Sequence, residues 1–250
     1  MKAIVIAAGE GSRMGNLTQN IPKPLVMVNG KSIIERQISI LKKNGILDII
    51  IITGPHHEKF NFEKIRYIRD KNFLEHDQLG SLISAKKEIN DDLIILFGDI
   101  IFENVVLAKI LESKSDISIA VDMNWARTYT SKPDGSFDKA DKVRFEQENV
   151  SRIFKTMTEA DKKFEIGEFI GLIKLSKNGS KQLVECYEKI QSVHKGRFHD
   201  AISLEKAKLV DILQELIENK IKIDAIPITG EWCEIDTEED LEIAKKKFVG

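Results

Sequence analysis

Two short stretches near the amino terminus concentrate residue types suited to holding phosphate. Ala7-Ala8-Gly9-Glu10-Gly11-Ser12-Arg13 follows an apolar run, and Pro22-Lys23-Pro24-Leu25 comes soon after it. Small residues let backbone N–H groups approach an anion, while Arg13 and Lys23 supply the positive charge that stabilises a polyphosphate. Two better-known phosphate loops do not fit. The dinucleotide pattern would need a third glycine where Met14 stands, and no acidic residue ends the second strand. Gly30-Lys31-Ser32 has the tail of a P-loop, but Leu25 occupies the place of its first glycine and no strand runs straight into it.

The elements that must position these residues follow from hydrophobic pattern. Residues 2–8 form a continuous apolar run, too short for a helix, that ends at Gly9; such a run predicts a strand buried on both faces. Residues 32–43 place Ile33, Ile34, Gln37, Ile40 and Leu41 at helical spacing before the stop signal Asn44-Gly45. Strands are expected at 48–53, 66–69 and 93–97, with a helix over 79–88 between the last two. Strands alternating with helices predict an α/β fold, a Rossmann-like three-layer α/β/α arrangement around a mixed, mostly parallel sheet, with ligands beyond the carboxyl ends of the strands. In the second half, strands are expected at 116–122, within 142–155 and at 165–175, and helices at 177–191 and 203–219. Residues 124–142 are polar, contain Pro133-Asp134-Gly135 and show no period, which predicts a long excursion near the site.

The bulk composition removes several function classes. Lys and Arg number 38 against 40 Asp and Glu, giving a net charge of −2, so no single-sign field points to nucleic acid. Cys186 and Cys233 have no CxxC partner, and the five histidines, His56, His57, His76, His194 and His199, show no tight ligand spacing. The apolar run after Lys2 is too short for a signal sequence or membrane span, so a cytoplasmic location is expected. With 250 residues, one domain is the default. Two halves are expected within it, about 1–115 and about 116–250.

The opening loop together with Pro22-Lys23-Pro24-Leu25 resembles the paired AAGxGSR(L/M) and PKP(L/M) motifs of the sugar-phosphate pyrophosphorylase superfamily of nucleotidyltransferases. Phe97-Gly98-Asp99 and Glu234-Ile235-Asp236 stand where that superfamily carries the aspartates that hold catalytic magnesium, so the resemblance spans residues 1 to about 240. The ending Trp232-Cys233-Glu234-Ile235-Asp236 resembles the W-x-E-I-D pattern of the cytidylyltransferase branch. Residues 76–85, 121–125 and 167–171 are most similar to the cytidylyltransferases of phosphonate biosynthesis, which join CTP to a small alkylphosphonate such as 2-hydroxyethylphosphonate or 2-aminoethylphosphonate. Two departures count against a phosphocholine enzyme: Cys233 replaces an aromatic residue beside the tryptophan, and Asp77-Gln78 replaces an asparagine pair.

The resemblance implies roles residue by residue. Arg13 and Lys23 would act on the phosphates as the catalytic cations, with Ala7, Ala8, Gly9, Glu10, Gly11 and Ser12 cradling the nucleotide. Asp99 and Asp236 would hold Mg²⁺, for which hard carboxylate oxygens are suited. Asp236 also reads as a cap for the charged helix that follows it. The base would rest against Asp77, Gln78, Gly80 and Ser81, and Asp122, Trp125, Glu168 and Trp232 would surround the acceptor. The acceptor oxygen is already anionic, so positioning and charge neutralisation suffice and no general base is needed. Partners other than CTP and a small phosphonate or phosphate ester are not implied; a homodimer is left open. Three alternatives stay open: a phosphocholine or inositol-phosphate cytidylyltransferase, a sugar-1-phosphate nucleotidyltransferase, and a nucleotide-binding regulatory module without turnover. The length leaves no room for the hexapeptide β-helix found in many larger sugar enzymes.

Overall fold

The computed structural model describes residues 1–130 and 140–249. The first half contains β1 (Lys2–Ala7), β2 (Met27–Val28), β3 (Lys31–Ser32), α1 (Ile33–Lys43), β4 (Asp48–Thr53), β5 (Arg66–Arg69), α2 (Gln78–Ser84), β6 (Leu93–Phe97), β7 (Ile100–Phe102) and α3 (Asn104–Glu112). The second adds β8 (Ile117–Asp122), α4 (Trp125–Thr130), β9 (Lys142–Glu146), β10 (Asn149–Phe154), β11 (Glu165–Leu175), α5 (Lys177–Val193), α6 (Leu209–Glu218), β12 (Asp224–Ile228), β13 (Trp232–Glu234) and α7 (Glu238–Lys247).

Nine strands form one mixed sheet in the order β5-β4-β1-β6-β11-β8-β12-β10-β9. The β1 strand lies parallel to β4 and β6, β4 to β5, and β8 to β12, while β11 and β10 run against the rest. Alternation along β1 explains the layers. Ile4 and Ile6 join the core beneath α2, α5 and α6, whereas Ala3, Val5 and Ala7 face the core beneath α1 and α3. A strand buried on both faces must be apolar throughout, as the run after Lys2 is. Both halves of the chain contribute strands to this sheet, and the carboxyl ends of β1, β6, β8 and β12 open onto one edge.

Several elements were set by contacts that local pattern does not carry. Helix α6 begins at Leu209 rather than at residue 203, because residues 205–207 pair instead with the start of α2: Asp77 N–H donates to Glu205 C=O at 3.0 Å and Leu79 N–H to Ala207 C=O at 3.0 Å. The helix expected over 79–88 starts at Gln78 and ends at Ser84, followed by a 3-10 turn at Lys86–Glu88. The polar excursion over 124–142 opens with α4, and its Pro133-Asp134-Gly135 lies outside the described residues. Strands β7 and β13 pair antiparallel outside the main sheet, with Trp232 opposite Phe102 and Glu234 opposite Ile100.

Candidate active site

The loop after β1 turns back on itself at Gly11, whose φ is +68°, a backbone region that L side chains rarely adopt. A Cβ there would lie 3.1 Å from the Lys23 Cβ, so the two motifs are in contact, and the Thr18 hydroxyl closes the loop on Gly11 C=O at 2.7 Å. Pro22 and Pro24 flank Lys23 in a short 3-10 turn that directs its ammonium inward. There it donates to Asp99 Oδ2 at 2.8 Å and to Asp236 Oδ1. Arg13 Nη1 reaches Asp236 Oδ2 at 2.5 Å from a largely exposed side chain. Burial works against the Lys23 charge, yet the carboxylates of Asp99 and Asp236 outweigh it and hold the ammonium above its ordinary value.

Asp99 and Asp236 come together across 137 positions of sequence through one small ladder. The β7 and β13 pairing continues into a bond from Ile235 N–H to Asp99 C=O at 3.0 Å, which lays the residue after Ile235 beside Asp99. On α1, buried Gln37 donates its amide to Phe97 C=O at 2.8 Å and Ile100 C=O at 2.7 Å, pinning the turn that carries Asp99. The cap of α7 is Thr237, whose hydroxyl accepts from Asp240 N–H at 3.2 Å, so the Asp236 carboxylate is left to face Arg13 and Lys23. Alternation along β13 puts Glu234 on the same side as Asp236. Burial, and then the negative charges of Asp99 and Asp236, push the Glu234 carboxyl up to about 8.

Carboxylate oxygens of Asp99, Glu234 and Asp236 lie within 4.8 Å of one another. Asp99 Oδ1 is buried and has no hydrogen-bond partner. Three hard oxygen donors with an unpartnered lone pair among them fit a divalent cation of the magnesium type, whose charge would offset the mutual repulsion. The sequence reading had two of these carboxylates and missed Glu234, although its i, i+2 relation to Asp236 on a strand was available as a signal.

Two cavities meet at this cluster. The smaller, about 290 Å³, is lined by Ala7, Gly9, Glu10, Gly11, Ser12, Arg13, Lys23, Asp77 and Gln78, with Asp99 and Asp236 at its inner end. The larger, about 500 Å³, shares Arg13, Gln78, Asp99 and Asp236 and continues past Glu168, Trp232 and Glu234 to Lys155 and Lys208. The Phe97 and Phe169 rings meet edge to face, 5.9 Å apart, and both line it. Here Gly171 at φ +80° allows close approach, since a Cβ would lie 2.2 Å from the Phe97 ring.

Not every residue expected at the site faces it. Ala8 is buried beneath the loop, its carbonyl against Gly54. Gly80 and Ser81 lie inside α2 and line neither cavity: Gly80 packs on the His76 ring, and Ser81 donates its hydroxyl to Asp70 at 2.8 Å. Trp125, expected at the acceptor, packs with Ala140 and donates its indole N–H to Ile166 C=O at 3.1 Å. Asp122, also expected there, is 1% exposed and turned toward the backbone behind Trp232. Apolar surroundings took Trp125, and three neighbouring N–H donors took Asp122. Lys155 and Lys208, which sequence reasoning missed, extend into the larger cavity from β10's end and α6's start.

With this geometry in view, residues 3–130 match the model of the MobA-like NTP transferase domain. The chain belongs to that family. This nucleotidyltransferase is 28% identical to a CTP:phosphoglutamine cytidylyltransferase of Campylobacter jejuni, over 99% of its own length and 100% of the relative. It is 39% identical to a choline-phosphate cytidylyltransferase of Streptococcus pneumoniae over 109 residues, 42% of this chain and 48% of that one. The solved structure of the CTP:phosphocholine cytidylyltransferase of S. pneumoniae superposes with a TM-score of 0.72 at 21% identity, covering 98% of this chain and 97% of its own. That of an inositol-1-phosphate CTP transferase of T. maritima gives 0.71 at 18% identity, covering 100% and 97%. The fold of this NTP transferase is thus the nucleotidyltransferase fold, as its motifs implied. No helix among the described residues is long and apolar enough to cross a membrane.

Proposed function

We propose that this nucleotidyltransferase is a magnesium-dependent cytidylyltransferase that joins CTP to a small phosphorylated or phosphonate acceptor and releases pyrophosphate. The observation that carries the reading is the meeting of two cavities at Asp99 and Asp236, one walled by the glycine-rich loop and the other by Glu168, Trp232 and two lysines. A group-transfer enzyme needs such a boundary, since nucleotide and acceptor must meet in line. Both relatives named above that align with this sequence are cytidylyltransferases acting on phosphorylated small molecules, which supports the choice of CTP.

In this reading an anionic oxygen of the acceptor attacks the α-phosphorus of CTP. The bond from that phosphorus to the bridging oxygen breaks, and pyrophosphate leaves with the electron pair. No proton has to move. Arg13 and Lys23 neutralise the triphosphate, and the loop amides orient it. Asp77 and Gln78 line the smaller cavity and would read the cytosine edge, Gln78 with its NH₂ group, since its oxygen accepts from Leu209 N–H at 3.3 Å. Lys208, and Lys155 beside its partner Asp141 at 3.5 Å, would bring positive charge toward the acceptor phosphorus group, while Glu168 and the Trp232 ring would bound its remaining end. Asp99, Glu234 and Asp236 would hold the magnesium, which supplies charge stabilisation for the phosphates when bound.

Within that class the sequence resemblance favours an alkylphosphonate, with 2-hydroxyethylphosphonate as the example, and the intact Arg13, Lys23, Asp99 and Asp236 favour turnover over a silent regulatory module. Pyrophosphate release should be measured with Mg²⁺ across the common nucleoside triphosphates and a panel of 2-hydroxyethylphosphonate, 2-aminoethylphosphonate, phosphocholine, phosphoglutamine, inositol phosphate and sugar 1-phosphates. Release confined to CTP with a phosphonate supports the full reading. Release with CTP and a phosphate ester keeps the class and moves the acceptor. Release with a sugar 1-phosphate and another nucleotide contradicts it.

A further inference from the structure

The structure assigns Asp122 a positioning role: its carboxylate fixes the Trp232 indole from behind the larger cavity, and so sets the wall against which the acceptor rests. The assignment rests on the proposed reading of that cavity as the acceptor site. Asp122 ends β8, is 1% exposed and lines neither cavity, whereas Trp232 lines the larger one. Its two oxygens divide their work. Oδ1 accepts from Asn124 N–H at 2.9 Å and Gly230 N–H at 3.0 Å, and Oδ2 accepts from the Trp232 indole Nε1 at 2.8 Å.

One side chain thus accepts three hydrogen bonds, and the bond to the indole is buried. The turn it holds is the entry to β13, the strand that also carries Glu234 and leads to Asp236. Gly230 takes φ +78° there, and Lys247 from α7 ties the same turn by donating to Trp232 C=O at 2.8 Å. The backbone is therefore held from two sides, by Oδ1 and by Lys247, whereas the ring is held by core packing and by one polar contact, the bond to Oδ2. Packing limits the indole to a few orientations, and the bond to Oδ2 selects the one in which its N–H points behind the cavity.

This division makes the claim separable. In Asp122→Asn the amide oxygen can keep both backbone N–H groups while its NH₂ meets the indole N–H donor to donor. The expected result is a rise of about tenfold in acceptor KM, the worth of one buried hydrogen bond, with CTP KM unchanged. In a Trp232→Phe background the clash has no partner, so adding Asp122→Asn should change acceptor KM less than about twofold. A tenfold effect persisting in that background would mean direct contact with the acceptor and would overturn the assignment, as would an unchanged acceptor KM in the single variant. CTP KM and acceptor KM rising together with a lowered melting midpoint would reduce Asp122 to a structural group. Tryptophan emission in a Trp125→Phe background reads Trp232 without turnover. Asp122→Asn should shift that emission, and an unchanged spectrum contradicts the positioning role. If the wild-type protein turns over no acceptor with CTP, the functional reading fails on its own while the spectrum still decides Asp122.

Discussion

Lys23 keeps its charge in a place where burial alone would remove it, because Asp99 and Asp236 each accept from its ammonium. Removing either carboxylate therefore changes two things, the proposed cation site and the anchorage of Lys23. Asp99→Asn is expected to lower kcat by about 10²–10³-fold, the usual cost of one lost electrostatic contact to a developing charge, with an unchanged circular dichroism spectrum. Lys23→Ala should lower kcat by a similar factor and raise the magnesium concentration needed for CTP binding little. Steady-state kinetics on both variants check this; kcat within about threefold of wild type would remove these residues from the chemistry. At this scale Arg13 and Lys23 were legible because small residues and cations close together suit a phosphate. Asp99 and Asp236 came only from the resemblance, since no spacing links positions so far apart; the structure brings all four side chains together. Lys155 and Lys208 were not legible, since an isolated lysine carries no pattern and acquires meaning only when β10 and α6 aim it at a shared cavity.

Elements positioned the site through contacts that cross the fold. Gln37 sat among apolar residues at helical spacing, and the helix was legible while the reason for a buried amide was not. That amide satisfies the carbonyls on either side of Gly98-Asp99. Gln37→Leu should leave two buried acceptors unpaired and lower unfolding free energy by about 1–3 kcal/mol, measured by urea denaturation, with turnover falling as Asp99 loosens. A gain in stability would show that the amide bonds contribute nothing net. At the far edge, Asp161 accepts from the Thr158 hydroxyl at 2.7 Å and from its N–H at 2.9 Å and faces Arg144 at 3.2 Å. The Thr158 hydroxyl first, and then the Thr158 N–H and the arginines against the cost of burial, hold its carboxyl below the ordinary 3.8. An acid depressed in the folded state contributes stability that is present above its unfolded value and disappears as pH falls through the folded one. Asp161→Asn should thus lower the melting midpoint at pH 7, and the gap should close as pH drops below 3.8. A gap constant with pH would contradict the account. Strands β4 and β6 fell at their expected residues because continuous apolar runs ended at Gly54 and Gly98, while β5 and β11 also fell where expected although charged residues and glycines interrupt them. The two- and three-residue strands β2, β3, β7 and β13 are too short to show a period, and α6 started late because tertiary pairing claimed residues 205–207.

The whole molecule turns one mixed sheet into a platform with its chemistry at one edge. Its α/β/α layering was legible from alternation of strand and helix, while the reversed strand β11, which carries Glu168 into the larger cavity, could not be told from a parallel one by sequence pattern. Near-neutral net charge fits small, locally neutralised ligands rather than a polymer. Chelation of divalent metal should abolish turnover, and adding Mg²⁺ should restore it, because a divalent cation held by Asp99, Glu234 and Asp236 would supply the charge that neutralises the triphosphate beside them. Activity that survives exhaustive chelation would contradict that role. The central claim is nucleotidyl transfer itself, and ³¹P NMR of a reaction holding CTP, Mg²⁺ and the best acceptor of the panel tests it most directly. The account predicts free pyrophosphate appearing in step with a new pair of mutually coupled phosphorus signals from the CMP–acceptor anhydride. CDP or inorganic phosphate accumulating instead, with the acceptor signal either unchanged or converted without coupling to the CMP phosphorus, would contradict it.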